Sequence, residues 1–103
     1  MANFLLLYRG GGMPQSDEEK QRVMAAWNKW MTDMDGDLVD AGNPTSNVKT
    51  VNTGGPVDFS GDRVTGYSVI QADTLEHAIE KAKGVPVVAD GGSVDVYETF
   101  NAM

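Results

Sequence analysis

The sequence predicts an α+β protein in which two helices pack on one face of an antiparallel sheet. Residues 3–10 form a candidate strand that has Phe4, Leu6 and Tyr8 on one face and two leucines on the other. A helical pattern follows this strand, and a second helical pattern follows another strand at residues 66–72. Because two helices cover only one face of such a sheet, the apolar residues of the other face require a partner.

The first helix is predicted from a capping signal and an apolar stripe. Ser16 precedes Glu19 by three positions, as in a capping box, and the acidic residues beside them suit the positive end of a helix. Apolar side chains then recur at helical spacing as Val23, Trp27, Trp30, Met31 and Met34. A glycine between two aspartates, at residues 35–37, ends this helix.

The middle of the chain predicts three further strands. Residues 38–42 form a short one that stops at an Asn-Pro pair, and residues 47–52 form another with polar alternation typical of a sheet edge. Residues 53–63 predict a loop with a turn at residues 60–62. Residues 66–72 are a stronger strand, with apolar residues on both faces.

The end of the chain predicts a second helix and a final strand. Asp73 or Thr74 caps the helix, Gly84 ends it, and a loop covers residues 85–92. Its buried stripe is predicted to comprise Leu75, Ala78, Ile79 and Ala82. With a final strand at residues 94–100, the order is β-α-β-β-β-α-β, which is typical of a ferredoxin-like sandwich forming one domain over residues 1–103.

Composition excludes several classes of function. A net charge of -7 argues against nucleic acid and anionic membrane surfaces as partners, because both require clustered cations. The absence of cysteine excludes disulfides and thiol nucleophiles, and one histidine cannot build a His-rich metal site. No apolar stretch approaches the ~20 residues of a membrane span. We therefore expect a cytoplasmic protein that uses no cofactor and forms a homodimer through its uncovered sheet face.

Four segments together match the pattern of a known family: the opening strand at residues 4–8, the tryptophan-bearing helix leading into residues 36–42, residues 66–78 and the closing residues 92–97. In these segments the chain resembles the YCII-related (YciI-like, DGPF-domain) family of the dimeric α+β barrel superfamily. The resemblance covers nearly the whole chain and implies a dimeric barrel. Two departures concern the chemistry. The Asp-Gly-Pro-Phe motif that names part of the family corresponds here to residues 54–57, where its acid is missing. The position of the family's helix-1 histidine falls near Ala25, and the first predicted helix contains no histidine.

Two motifs that suggest other functions lack residues that those functions require. The glycines at residues 10–12 lack the Gly-Lys-Ser/Thr ending of a phosphate-binding loop and instead predict a hinge or a lip over a cavity mouth. Asp33, Asp35 and Asp37 alternate like the start of a calcium loop, but Leu38 and Pro44 occupy the positions that require glycine and glutamate.

The candidate site residues lie at strand ends. Tyr8 and Arg9 end the first strand, and with Tyr67 they are predicted to bind a ligand in an otherwise apolar cavity. Asp40 lies in a short apolar strand, where a carboxylate needs a partner or a pocket, and is the candidate catalytic acid. An exposed position on the strand is the alternative for Asp40. His77 is interpreted as a solvated helix residue.

Two further choices are open from the sequence. Trp27 and Trp30 have the spacing of core residues, although either ring is also able to stack on a ligand. The chain as a whole is either a homodimeric barrel that binds an apolar or aromatic small molecule, with possible cofactor-free acid–base chemistry, or a non-enzymatic regulatory or scaffolding domain that binds other proteins. A cavity lined by Tyr8, Asp40 and Tyr67 would favour the first hypothesis.

Overall fold

The chain is built on a four-stranded antiparallel sheet with helices packed against it. A computed structural model describes residues 1–11 and 14–102. The elements in chain order are β1 (Ala2–Arg9), α1 (Asp17–Met34), a 3-10 turn (Asp35–Asp37), β2 (Leu38–Asp40), β3 (Thr50–Asn52), β4 (Gly55–Val57), β5 (Gly66–Ala72), α2 (Leu75–Ala82), α3 (Pro86–Ala89) and β6 (Ser93–Glu98). The predicted α+β class is confirmed.

The main sheet has the strand order β2-β5-β1-β6, and each neighbouring pair is antiparallel. β1 lies in the interior of the sheet, where Leu6 is paired with Ser68 of β5 and with Val96 of β6. A register shift between Leu38 and Asp40 interrupts the pairing of β2 with β5. This shift leaves β2 three residues long, shorter than the predicted strand over residues 38–42.

Both long helices begin at side-chain caps that satisfy free backbone donors. The Ser16 hydroxyl accepts a hydrogen bond from the Glu19 N–H at 3.2 Å, and the Glu19 carboxylate accepts one from the Gln15 N–H at 2.7 Å. Thr74 caps α2, because its hydroxyl accepts a hydrogen bond from the His77 N–H at 3.1 Å. From the sequence alone, either Thr74 or Asp73 was a candidate for the N-cap of α2.

The core lies between one face of the sheet and the helices. Phe4, Leu6 and Ile70 are fully buried on that face, and each such side chain stabilises the fold by about 1.5–3 kcal/mol. The helices and the segment after α2 complete the same cluster with Trp30, Met34, Ala78, Ala82 and Val85. This packing puts Trp30 and Met34 of the predicted α1 stripe in the core, with Trp27 and Met31 against it. Val23, the first residue of the stripe, instead lines a cavity and is half-buried.

The opposite face of the sheet carries no helix and is partly exposed. Leu5, Leu7 and Val69 are only half-buried there, and Tyr97 is 51% exposed. Strand alternation also places Arg9 on this face, where its guanidinium Nη1 lies 2.5 Å from a carboxylate oxygen of Asp95. An apolar centre flanked by an ion pair therefore faces outward.

Three parts of the structure differ from the sequence predictions. The predicted third strand does not join the main sheet, because the turn before Gly55 (φ +104°) returns the chain on itself and β3 pairs with β4 in a separate hairpin. The predicted loop at residues 53–63 therefore contains a strand, β4. The predicted loop at residues 85–92 contains the short helix α3, with Pro86 in its first turn. Ile79 is 39% exposed rather than buried, since it faces a hollow between α2 and β6.

Within the described part of the chain, no helix is both long enough and apolar enough to cross a membrane.

Candidate functional site

A cavity of about 770 Å³ lies between α1 and one end of the sheet. Its walls come from the end of β1, one face of α1, residues 41–44 after β2 and residues 65–68 at the start of β5. Val87 of α3 and Asp90 complete the rim. The volume falls within the usual range of small-molecule sites.

The polar part of the wall is a chain of two hydroxyls and a carbonyl. The Tyr8 hydroxyl donates to Ser68 Oγ at 2.8 Å, and the Ser68 hydroxyl donates to the carbonyl oxygen of Ala41 at 2.7 Å. All three residues line the cavity, and Ser68 is fully buried. Because buried hydroxyls are costly without partners, these two hydrogen bonds hold the start of β5 and the segment after β2 together.

Tyr8 is uncharged at neutral pH. Burial raises the pKa of Tyr8 to about 12, although the hydrogen bond to Ser68 acts in the opposite direction. The phenol therefore serves as a hydrogen-bonding group and not as a base.

An aromatic wall continues from Tyr8 onto α1. The rings of Tyr8 and Trp27 meet edge to face, with centroids 5.3 Å apart, and Trp27 meets Trp30 in the same manner at 5.9 Å. Trp30 is in the core, and its indole N–H donates to the Lys81 carbonyl at 2.9 Å. Trp27 is half-buried and lines the cavity. Trp30 is therefore a core residue, as its spacing predicts, whereas the stacking of Trp27 on a ligand stays a prediction.

Charged side chains lie at the rim. The Arg22 guanidinium is 3.7 Å from the Asp90 carboxylate, so this pair connects α1 to the segment after α3. Glu19 also lines the cavity. Gly10 and Gly11 line the mouth with φ values of +73° and +89°, while Gly12 of the predicted lip lies outside the described residues.

Gly42 lies directly against the backbone of β5 in the cavity wall. A Cβ at this position would lie 1.7 Å from the carbonyl oxygen of Tyr67, and φ is +76°. Both observations demand glycine, because any side chain would collide with the β5 backbone in a conformation that L residues avoid. The segment between β2 and the hairpin can follow β5 closely for this reason.

The structure brings together some of the predicted site residues and separates others. Tyr8 and Tyr67 both line the cavity. The side chain of Tyr67 nevertheless follows strand alternation to the opposite face of the sheet, beside Leu7. Arg9 lies on that opposite face with Asp95. Among the described residues, the buried Nε of Arg9 has no hydrogen-bond partner.

Asp40 is exposed and lies at the end of β2, next to the cavity wall but not in it. Its carboxylate accepts a hydrogen bond from the Gly42 N–H at 2.9 Å, which closes a local turn. The catalytic role of Asp40 therefore stays a prediction. His77 is exposed on α2, as expected for a solvated helix residue.

Sequence reasoning did not single out Ser68, Arg22 or Gly42. Ser68 shares a strand face with Ile70 and Ala72, and this apolar face was the available signal for a buried hydroxyl. In the described ranges, no group of three acidic or histidine side chains is arranged to hold a metal ion.

The comparisons with known proteins show the fold. The chain resembles the solved structure of 5-chloro-2-hydroxyhydroquinone dehydrochlorinase (TftG) from Burkholderia phenoliruptrix AC1100, in complex with 2,5-dihydroxybenzoquinone. The TM-score is 0.59 at 19% sequence identity, over 97% of this chain and 95% of that one. The sequence matches no protein-family model and no curated protein. The two chains therefore share an α+β fold, and the likeness extends over nearly the full length of both.

Proposed function

We propose that this chain binds a small apolar or aromatic molecule in the cavity beside α1. The observation that carries the proposal is the cavity itself, in which apolar side chains surround the Tyr8–Ser68 hydroxyls. A mostly apolar hollow with a few fixed polar groups is the usual composition of a small-molecule site. The neighbouring fold supports the proposal, since the dehydrochlorinase was solved with a dihydroxybenzoquinone bound.

We further propose that the chain is a YCII-related member of the dimeric α+β barrel superfamily, with a ferredoxin-like arrangement of sheet and helices. Two chains would pack through their open sheet faces. The half-buried Leu5, Leu7 and Val69 support this proposal, because monomers rarely leave such a surface open. The orphaned Nε of Arg9 on the same face also lacks the partner that a second copy could supply.

For the chemistry, Tyr8 is proposed to contact the ligand with its side chain, and Asp40 is the candidate acid–base group. Tyr67 is proposed to contact the ligand where it lines the cavity wall, although its side chain follows the opposite face of the sheet. The position of Asp40 supports this role, because its carboxylate is exposed and lies two residues before the cavity-lining Gly42. Arg9 would act from the opposite face and would reach a ligand only in an assembly that brings that face to a cavity. An Asp40→Asn variant that keeps full turnover of an identified substrate would remove Asp40 from the mechanism.

A second function is favoured by the open sheet face. An apolar surface outside the cavity is also what a non-enzymatic regulatory or scaffolding domain would present to another protein. The two hypotheses make different demands on the cavity. The binding proposal requires a ligand there, whereas a scaffolding domain keeps its interactions on the surface.

Tryptophan fluorescence provides a direct test. The chain has two tryptophans, and Trp27 lines the cavity while Trp30 is buried in the core. Hydroquinone and 2,5-dihydroxybenzoquinone should change the emission in a saturable manner, and Trp27→Phe should remove most of that change. A ligand at one hundred times its Kd should also stabilise the fold by about 2.7 kcal/mol in a thermal melt.

The matched control is Trp30→Phe, which leaves the cavity-lining indole in place. The binding proposal fails if a broad set of small aromatic compounds neither shifts the melt nor changes the emission. Saturation that is unaffected by Trp27→Phe would place the ligand elsewhere.

A further inference from the structure

The hydroxyl chain in the cavity wall has a fixed direction. The Ala41 carbonyl can only accept, so the single proton of the Ser68 hydroxyl must point to it, at 2.7 Å. Ser68 Oγ then has lone pairs but no proton for Tyr8, so the Tyr8 hydroxyl must donate, at 2.8 Å. The proton of Tyr8 is therefore committed to the wall, and its oxygen keeps lone-pair capacity.

We infer that this cavity selects ligands that present a hydrogen-bond donor, a phenolic hydroxyl above all, to the oxygen of Tyr8. The inference rests on the proposed function, that a small molecule occupies the cavity, and adds the chemical class of that molecule. A ligand whose oxygen can only accept, such as a ketone or an ether, would meet a second acceptor there.

The surroundings of Tyr8 favour an aromatic ring behind that hydroxyl. The indole edge of Trp27 lies against the Tyr8 ring, and Val23 and Met31 of α1 add apolar surface to the same cavity. The charged residues at the rim offer no competing deep site, because Arg22 is paired with Asp90 and is largely exposed. A ring in contact with Trp27 could thus direct its hydroxyl at Tyr8.

The ionisation behaviour of Tyr8 agrees with this geometry. Burial raises the pKa of Tyr8 to about 12, so the phenol stays protonated throughout the neutral range. The direction of its hydrogen bond to Ser68 is therefore the same over that range. A phenolate would accept from Ser68 and from the ligand at once, but that state is not reached near pH 7.

The test uses three probes of similar size, phenol, anisole and toluene, titrated by NMR into the full chain. Phenol both donates and accepts, anisole only accepts, and toluene does neither. Because toluene is the more hydrophobic, the readout is the ratio of phenol affinity to toluene affinity in each variant. Tyr8→Phe should lower this ratio about fivefold, the value of a net hydrogen bond of about 1 kcal/mol.

A second variant tests the direction of the hydrogen bonds that join Tyr8, Ser68 and Ala41. Ser68→Ala removes the acceptor of the Tyr8 proton, which becomes free to donate into the cavity. The affinity of anisole relative to toluene should then rise about fivefold, while the wild-type chain shows no such preference. Tyr8→Phe alone suffices if Ser68→Ala does not fold, since Ser68 keeps its hydrogen bond to Ala41 in the phenylalanine variant.

The outcomes separate the inference from the proposal on which it rests. If all three probes bind and the phenol ratio is the same in wild type and Tyr8→Phe, the donor preference is overturned and cavity binding stands. If none of the probes shifts a cavity resonance at millimolar concentration, cavity binding by small aromatics is overturned, and the donor preference with it.

Discussion

The two faces of the sheet use the same strands for different purposes. On the covered face, Phe4 and Leu6 are fully buried beneath the helices, and Tyr8 ends the row at the cavity. On the open face, Leu5 and Leu7 are half-buried and Arg9 ends the row in an ion pair. One strand therefore alternates between a core that the chain completes alone and a surface that it leaves incomplete. Tyr8 and Arg9 are therefore adjacent in sequence but belong to separate regions of the molecule.

The largest expected effect concerns the open face. If two copies pack through it, Leu7→Asp puts a carboxylate into each half of the interface and should weaken the dimer about a thousandfold, about 4 kcal/mol. The isolated chain should keep its fold, because the position is half-buried. Light scattering would report the mass, and circular dichroism the fold. Val51→Asp, on a hairpin residue that is 79% exposed, is the control and should leave the mass unchanged.

A monomer mass for the wild-type chain at micromolar concentration would contradict the dimer outright. A Leu7→Asp variant that keeps the wild-type mass would instead place the interface on another surface.

The next effect contrasts neighbouring leucines across the sheet. Leu6→Ala, at a fully buried position, should lower the free energy of unfolding by about 3 kcal/mol through lost burial and a residual cavity. Leu7→Ala should cost the monomeric chain about 1 kcal/mol, since part of that side chain already contacts water. Urea denaturation at high dilution measures both values. Equal losses at that dilution would mean that the two faces are not different in the single chain.

The elements that pack on the covered face were the predictable ones. The stripe of α1 and the strands β1, β5 and β6 follow from periodicity, because packing on one sheet imposes a regular spacing on the sequence. The start of α1 follows from the capping box that begins at Ser16. Thr50–Asn52 was misplaced because a short strand with polar alternation pairs equally well with a sheet edge or with its own hairpin partner. Ile79 was misplaced because a helical stripe does not reveal where the sheet beneath it ends.

The candidate site was only partly predictable for a similar reason. Tyr8 stands out in the sequence as a polar tip on an apolar strand. Its partner Ser68 is 60 positions away, and the register of β1 with β5 brings the two hydroxyls together. Ser68 in turn donates to Ala41, which the pairing of β2 with β5 brings close. Arg9 followed Tyr8 in the prediction because the two are adjacent, whereas alternation puts them on opposite faces. Long-range register carries information that local patterns lack.

A smaller effect tests the polar end of the covered face. The pKa of Tyr8 is about 12 in the folded chain and about 10 in the unfolded chain, so the stabilisation is complete below pH 10 and is lost as the pH rises toward 12. Over that range the loss from Tyr8 is at most about 2.7 kcal/mol. Other groups also titrate there, so the measurement is the difference between wild type and Tyr8→Phe in urea denaturation at pH 9, 10 and 11. Parallel stability curves for the two proteins would show that Tyr8 ionises freely in the fold.

The smallest effect belongs to the ion pair at the end of the open face. Arg9 and Asp95 are each about one-third exposed, so Asp95→Asn should cost the monomeric chain less than about 1 kcal/mol, and added salt should reduce the difference. The exposed Lys29–Asp33 pair on α1 is the control, and Asp33→Asn should cost less still. If a second copy covers the open face, the Arg9–Asp95 pair loses its water and breaking it leaves a buried guanidinium unpaired. The cost of Asp95→Asn should then grow with protein concentration while that of Asp33→Asn stays constant. A cost that is large at high dilution would mean that a single chain already shields this pair, and the two faces of the sheet would differ less than their exposure indicates.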